Sequence, residues 1–370
     1  MSKKQYAIIG SWTGESNKGL HTFEYDADTL EFKEKENYYS YMNVGCTPHI
    51  SSKNVLYVLN ETLKDKEYGG RIYTFKVENQ TLTYMNEAST LTVNPCFSVL
   101  SKDEKHLLVV HHTSSQNGVS VVEKEEDGSI VSYIKHDEAA VVLYALKEDG
   151  SIGNVLDIHV PQKEFDKKTQ RKHSKLHSIY LDSKTNLYFV FDKGLDKVYT
   201  YKIVDNKLQY LNCVNCLSGC KPRYGVVHPV EKILYGTNEG QKYVYVYAYT
   251  EDGRITQINE ICLSEKENKD CLASDIQKHP FKDILYVALR GIDDLFVLDI
   301  KDAKNPVKLQ ELHCEGKHTK AITISKDGNY LFSCNMDSDN VAIFKIEENG
   351  CLSYIKDVKV NKASSIIFID

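Results

Sequence analysis

One phrase recurs along the chain: an apolar pair, then β-branched or aromatic residues, then a polar tip. It is carried by Tyr6-Ala-Ile-Ile-Gly-Ser, Leu56-Tyr-Val-Leu-Asn-Glu, Leu107-Leu-Val-Val-His-His, Leu187-Tyr-Phe-Val-Phe-Asp, Leu234-Tyr-Gly-Thr-Asn-Glu, Leu285-Tyr-Val-Ala-Leu-Arg and Leu331-Phe-Ser-Cys-Asn-Met. The starts lie about 50 residues apart, with one gap of about 80 between Leu107 and Leu187. Self-similarity at such a period marks a propeller or a solenoid. Each copy sits among four strand signals. In the last repeat Ile322-Thr-Ile-Ser precedes a Lys326-Asp-Gly turn, the Leu331 run and the alternating Val341-Ala-Ile-Phe-Lys-Ile follow, and a last strand comes after Asn349-Gly-Cys-Leu. Period-two alternation bounded by Asp-Gly and Asn-Gly turns is the pattern of antiparallel hairpins. Lettered a to d from the inside outwards, such strands repeated radially make propeller blades.

The ends predict a closed ring. Ala363-Ser-Ser-Ile-Ile-Phe-Ile-Asp reads as an a strand with no b strand after it, and the Tyr6 run as a b strand with no a strand before it. Pairing the two completes one blade and removes exposed edges. The expected fold is an all-β, seven-bladed β-propeller of four-stranded antiparallel blades, closed by pairing of the N- and C-terminal strands, as a single domain over residues 1–370. The long gap holds two near copies of one phrase, Asp127-Gly-Ser-Ile and Asp149-Gly-Ser-Ile, then a charged stretch from Lys163 to Lys175. Only one Leu-Leu-Val-Val run accompanies them. The gap therefore reads as an insertion in the third repeat at about 119–175, not as an eighth blade.

Composition narrows the function classes. A chain of 370 residues could make two domains, but all-β repeat folds commonly run this long as one body. With 41% hydrophobic and 26% charged residues, there is no apolar run near the roughly 18 residues that span a bilayer. Met1-Ser-Lys-Lys-Gln leads directly into the Tyr6 strand without the apolar core and cleavage site of a signal peptide, so a cytoplasmic protein is expected. A net charge of −6 and a pI near 6.1 give no diffuse basic field, which argues against nucleic acid as a partner.

Ten cysteines in a reducing compartment are expected to be free thiols. Cys213, Cys216 and Cys220 start like half of a zinc site, yet no second CxxC or His pair lies close by and structural zinc takes four ligands. They read as buried or strand-edge thiols, and no metal or cofactor is expected. Neither a phosphate-cradling Gly-rich loop nor a GxSxG nucleophile elbow is present. The alternation of Tyr243-Val-Tyr-Val-Tyr-Ala-Tyr puts its tyrosines on one face of a c strand, where they serve blade packing. Lys3-Lys4 and Lys167-Lys168 read as solvated charges.

Strand polarity sorts the remaining polar residues. In an antiparallel blade the start of strand a and the end of strand b share one edge. His177 and Arg223 begin a strands, while Glu239 and Arg290 end b strands, so all four fall on one face in three consecutive blades. Asp192, Asn238, Asp275, Asn335 and the His111-His112 pair take equivalent positions. Blades without a task should carry similar residues there, but the b-strand ends differ: Asn60-Glu61, His111-His112, Asp192, Asn238-Glu239, Arg290 and Asn335. Two arginines, a carboxylate and a histidine at a channel mouth suit a small anionic ligand, because guanidinium forks bind carboxylate or phosphate oxygens in pairs.

These residues resemble the lactonase group of seven-bladed propellers, which includes bacterial 6-phosphogluconolactonases and fungal carboxymuconate lactonising enzymes. The likeness covers nearly the whole chain. It is carried by Gly10-Ser-Trp-Thr with Lys18-Gly-Leu, His177-Ser, Asp192-Lys-Gly-Leu-Asp-Lys-Val, Gly219-Cys-Lys-Pro-Arg, Asn238-Glu, Ala273-Ser-Asp-Ile and Leu289-Arg-Gly. The resemblance implies catalytic roles for His177, Arg223, Glu239 and Arg290, the same four that strand polarity selects. Asp192, Asn238, Asp275 and Asn335 are expected to bind substrate. Tyr224, Lys175 and Thr319-Lys320 depart from the family pattern, which bears on substrate identity.

The implied activity is hydrolysis of a sugar lactone, with 6-phosphogluconolactone the leading substrate and the pentose phosphate pathway the setting. His177 would be the general base, since its ordinary pKa of roughly 6.5 suits that task. Glu239 would hold its ring or position the water, and the arginines would hold the acid group or the oxyanion. A muconate-type lactonising cycloisomerase would use the same groups. A non-catalytic binding scaffold is the third reading, since propellers host many functions.

Overall fold

The computed structural model describes residues 4–12, 19–38, 41–46, 49–79, 81–113, 118–161, 173–266 and 271–369. Lys3, Thr13, Lys18, the Lys167-Lys168 pair and most of the charged stretch from Lys163 lie outside them. Seven four-stranded antiparallel sheets are arranged as blades. Blade 1 takes its a strand from the C-terminus, Ala363–Ile369, and its b strand from the N-terminus, Lys4–Ser11, which pair antiparallel from Tyr6↔Ile369 to Ser11↔Ala363. Blades 2 to 7 follow in order, with a strands His49–Ile50, Pro95–Leu100, Leu176–Asp182, Pro222–Val227, Leu272–Lys278 and Thr319–Ile324. No helix of the described residues is long and apolar enough to cross a membrane.

The packing explains why the recurring phrase is continuously apolar instead of alternating. A b strand is covered on both faces, so both sets of its period-two side chains meet a neighbouring blade. In blade 6, Leu285, Val287 and Leu289 pack with Tyr235, Val244 and Val246 of blade 5. The intervening Ile284, Tyr286 and Ala288 pack with Leu331, Ala342 and Phe344 of blade 7. The tyrosine strand follows the same rule: Tyr245, Tyr247 and Tyr249 are buried against Leu187, Phe189 and Phe191 of blade 4.

The third repeat corrects the expected extent of the insertion. Its blade is Pro95–Leu100, His106–His111, Val141–Leu146 and Ile152–His159, so residues 141–159 are its c and d strands. Among the described residues the extra element is a separate hairpin, Gly118–Lys124 paired with Ile130–His136, which leaves the blade between strands b and c. The two Asp-Gly-Ser-Ile copies look alike because they make the same turn. Glu125 N–H donates to Ser129 O in one and Lys147 N–H to Ser151 O in the other, with Gly128 and Gly150 both at φ 86°. One closes the extra hairpin, and the other joins the blade's own c and d strands.

The a strands of all the blades line the central channel, which holds a cavity of about 490 Å³ walled by residues such as Val99, Leu181, Val227, Gln277, Thr323 and Ile367. Ring closure rests on an aromatic cluster as well as on the strand pairing. Phe368 lies 5.0 Å from Tyr25 and 4.7 Å from Phe332, ring centre to ring centre, joining blade 1 to blade 7. Phe368→Ala should cost ~3–5 kcal/mol, the usual range for deleting a buried ring. Urea denaturation measures this, and a loss below ~1 kcal/mol would show that closure does not depend on the cluster.

Candidate active site

What faces the channel mouth is decided by a bulge repeated at the start of the a strands. In blade 4, Leu176 pairs with Asp192 and Ser178 with Phe191, which leaves His177 as the extra residue. The same skip isolates Arg223 in blade 5, Ser274 in blade 6, Lys320 in blade 7, Ser364 in blade 1 and Cys96 in blade 3. A bulge adds one unpaired residue and re-aims its side chain. The long polar side chains released this way are His177, Arg223 and Lys320.

Four residues expected from sequence meet here. Arg223 Nε donates to His177 Nε2 at 3.2 Å and lies 3.2 Å from Glu239 Oε2. Glu239 also takes Lys193 Nζ at 2.8 Å, and its Oε1 lies 3.7 Å from Arg290 Nη2. Arg223 Nη1 is anchored on the carbonyl oxygens of Ser274 and Ala273, and Arg290 Nη1 donates to His318 Nε2 at 3.1 Å. The Tyr224 ring forms one wall, with the Arg223 guanidinium 4.7 Å from its centre and the His177 ring edge-on at 4.9 Å.

Electrostatics assigns the resting charges. Burial works to raise the Glu239 pKa, but Lys193, Arg223 and Arg290 outweigh it and hold the carboxylate well below its usual range. His177 is driven well below the ordinary imidazole value, first by burial and then by Arg223, Lys193, His112 and Lys320. Its tautomer follows from its partner: a guanidinium can only donate, so Nε2 is the acceptor and Nδ1 carries the proton. The resting ring is thus neutral, with its one lone pair engaged by Arg223. That gives it a different resting role from the free base expected from sequence.

The expected substrate-binding residues divide. Asp192 is saturated, accepting from Ser174 Oγ at 2.7 Å, Lys175 N at 2.8 Å, Gly194 N at 2.9 Å and Leu195 N at 3.1 Å. Asn335 is tied to Thr319, Ser333 and the Cys314 carbonyl. Asp275 lies on the channel wall, where it accepts from Ile322 N of blade 7 at 2.9 Å and from Ile276 N at 2.7 Å. Its pKa is pushed up to about 6 by burial. These three serve the fold in this state. Asn238 is wholly buried and neither of its side-chain polar atoms has a partner among the described residues, so of the four it keeps its hydrogen-bonding capacity free there.

Lys193, Lys320, Glu61 and Trp12 were not selected from sequence as site residues. Lys320 is buried, its ammonium 4.5 Å from the centre of the Trp12 ring. Burial lowers its pKa to about 8, against the opposing pull of Glu61. The signal for Lys320 was its match in repeat position to Arg223 and His177. Lys193 follows an aspartate that looked like the functional group of its turn.

The sequence matches, over residues 6–368, the family described as lactonase, 7-bladed beta-propeller. The 6-phosphogluconolactonase of Bacillus subtilis is 22% identical over 95% of this chain and 94% of its own length. That of Formosa agariphila is 24% identical over 97% and 98%. Among solved structures, the periplasmic gluconolactonase of Pseudomonas aeruginosa superposes with a TM-score of 0.81 at 19% identity, covering 100% of this chain and 99% of that one.

Buried neutral histidines make stability depend on pH with a defined sign. Burial depresses the folded-state pKa of His177, His112 and His111, so below the ordinary value of 6.5 the unfolded chain binds more protons than the folded one. Stability should therefore fall as the pH drops below 6.5, by up to ~1.4 kcal/mol per pH unit for each such histidine. In urea denaturation between about pH 7.5 and about pH 5, His177→Gln should flatten that slope by roughly one proton. A slope identical to that of the unaltered protein would mean that His177 is charged when folded.

Proposed function

The chain belongs to the lactonase family of seven-bladed β-propellers, and from that premise we propose that it hydrolyses a sugar lactone, with 6-phosphogluconolactone as the leading substrate. The observation that carries the reading is the excess of cations over carboxylates at the mouth, together with donors that have no acceptor. Lys193, Arg223, Arg290 and Lys320 are set against two carboxylates, Glu239 and Glu61. Arg290 Nε, His177 Nδ1 and Trp12 Nε1 are buried N–H groups with no acceptor among the described residues. Buried donors without acceptors are costly, so a site that keeps several is shaped for a ligand that supplies the oxygens.

A lactone acid derivative supplies them at both ends. Its anionic group sits against an arginine fork, and attack on the ring carbonyl develops negative charge on oxygen, which fixed donors stabilise without reorganising. Glu239 is too strongly ion-paired to take a proton at neutral pH and acts by holding Lys193, Arg223 and Arg290 in place. His177 positions Arg223 through its Nε2 and offers Nδ1–H to the ligand. A phosphorylated substrate goes with a cytoplasmic location.

Purified protein assayed against sugar lactones and muconates tests the reading. Arg223→Ala and Arg290→Ala should each lower kcat/KM for an anionic lactone by about 10²- to 10³-fold, and Lys at either position should restore only part, because it lacks the planar fork. Turnover of muconates alone would move the chain to the cycloisomerases. Turnover of neither class would leave a binding scaffold.

A further inference from the structure

The geometry points to Glu61 as the group that takes the proton from the attacking water, a role that rests on the lactonase reading. Glu61 follows the b strand Val55–Asn60 of blade 2, as Glu239 follows Ile233–Asn238 of blade 5, so the same Asn-Glu step is presented twice at one mouth. The two carboxylates are in opposite conditions. Glu239 is clamped by three cations. The Glu61 carboxylate makes no hydrogen bond and no ion pair among the described residues, although its backbone is held firmly: its N–H donates to Asn43 O at 2.9 Å, and its carbonyl accepts Asn43 Nδ2 at 2.9 Å.

Space has been left for that carboxylate. A Cβ on Gly45 would stand 1.7 Å from Glu61 Oε2 and 3.1 Å from Trp12 Cδ1, so only glycine there admits the carboxylate where it lies. The charges that act on it are those of Lys320, Lys193 and Arg223, and its own charge acts on the Cys46 and Cys96 thiols. Burial pushes the Glu61 pKa up, against the pull of those cations. A raised pKa makes a carboxylate a better proton acceptor near neutrality.

Three other candidate bases from the sequence are spent. The His177 lone pair is engaged by Arg223, Asp192 is filled by turn amides, and Asp275 bridges two blades inside the channel. In the proposed step the water oxygen bonds to the lactone carbonyl carbon, the carbonyl π pair moves to oxygen, and the water proton passes to Glu61. Collapse re-forms the carbonyl and breaks its bond to the ring oxygen, which takes the proton back from Glu61. The product is the open hydroxy acid, and the carboxylate is regenerated.

The test is the pH dependence of lactone hydrolysis by the full chain and Glu61→Gln, with melting temperature measured on the same preparations. The expected result is a loss of about 10²- to 10⁴-fold in kcat with little change in melting, and disappearance of the acid limb of the rate profile. Gly45→Ala should also lower kcat, by pushing the carboxylate aside while keeping it in the chain. A folded Glu61→Gln protein with near-normal kcat and an unchanged acid limb overturns the assignment while leaving the lactonase reading intact. Absence of lactone turnover in the unaltered protein removes both.

Discussion

Six of the innermost strands begin with one residue more than their partner strand can pair. That surplus is the constraint on which the mouth of the channel depends. A regular ladder would send alternate side chains into the two inter-blade interfaces, where only apolar groups or satisfied polar ones are tolerated. The bulge takes one residue out of that alternation at the same height in each of these blades. The fold thus offers a ring of positions that can be changed without disturbing the cores. Cys96, Ser274 and Ser364 leave their places short and quiet, while His177, Arg223 and Lys320 fill theirs with nitrogen.

Charge then organises what the bulges deliver. Glu239 draws Lys193, Arg223 and Arg290 to one point, and without it three cations would face one another in a buried pocket. The cluster still carries more positive charge than it neutralises, and Lys320 adds to it from blade 7 with its ammonium over the Trp12 ring. Such a site stores unfavourable electrostatic energy that an anionic ligand relieves, which connects the architecture to the class of molecule it would select.

Much of this was legible in the sequence because the repeat exposes it. The b-strand runs are apolar throughout, the turns are spelled by Asp-Gly and Asn-Gly, and the two half-blades at the termini complete each other. His177, Arg223, Glu239 and Arg290 could be placed on one edge from strand polarity alone. Polarity says which edge a residue occupies but not which way its side chain turns. Asp192 and Asn335 share that edge, yet fold back on nearby backbone and side-chain groups. Glu61 was visible only as half of a repeated Asn-Glu step, because its freedom from partners and the space given by Gly45 arise from contacts between distant segments. The inserted hairpin was misjudged in extent because its turn and the blade's own turn have the same four residues.

The proposed function requires that the mouth, and not the channel cavity beneath it, receive the ligand. A crystal structure of the protein with 6-phosphogluconate bound measures this most directly. Acid-group oxygens are expected within hydrogen-bonding distance of Arg223 and Arg290, with the remainder of the ligand reaching toward Glu61 and Lys320. A ligand seated among Val99, Leu181 and Val227 in the channel, or on the opposite face with the Glu239 cluster untouched, would contradict it.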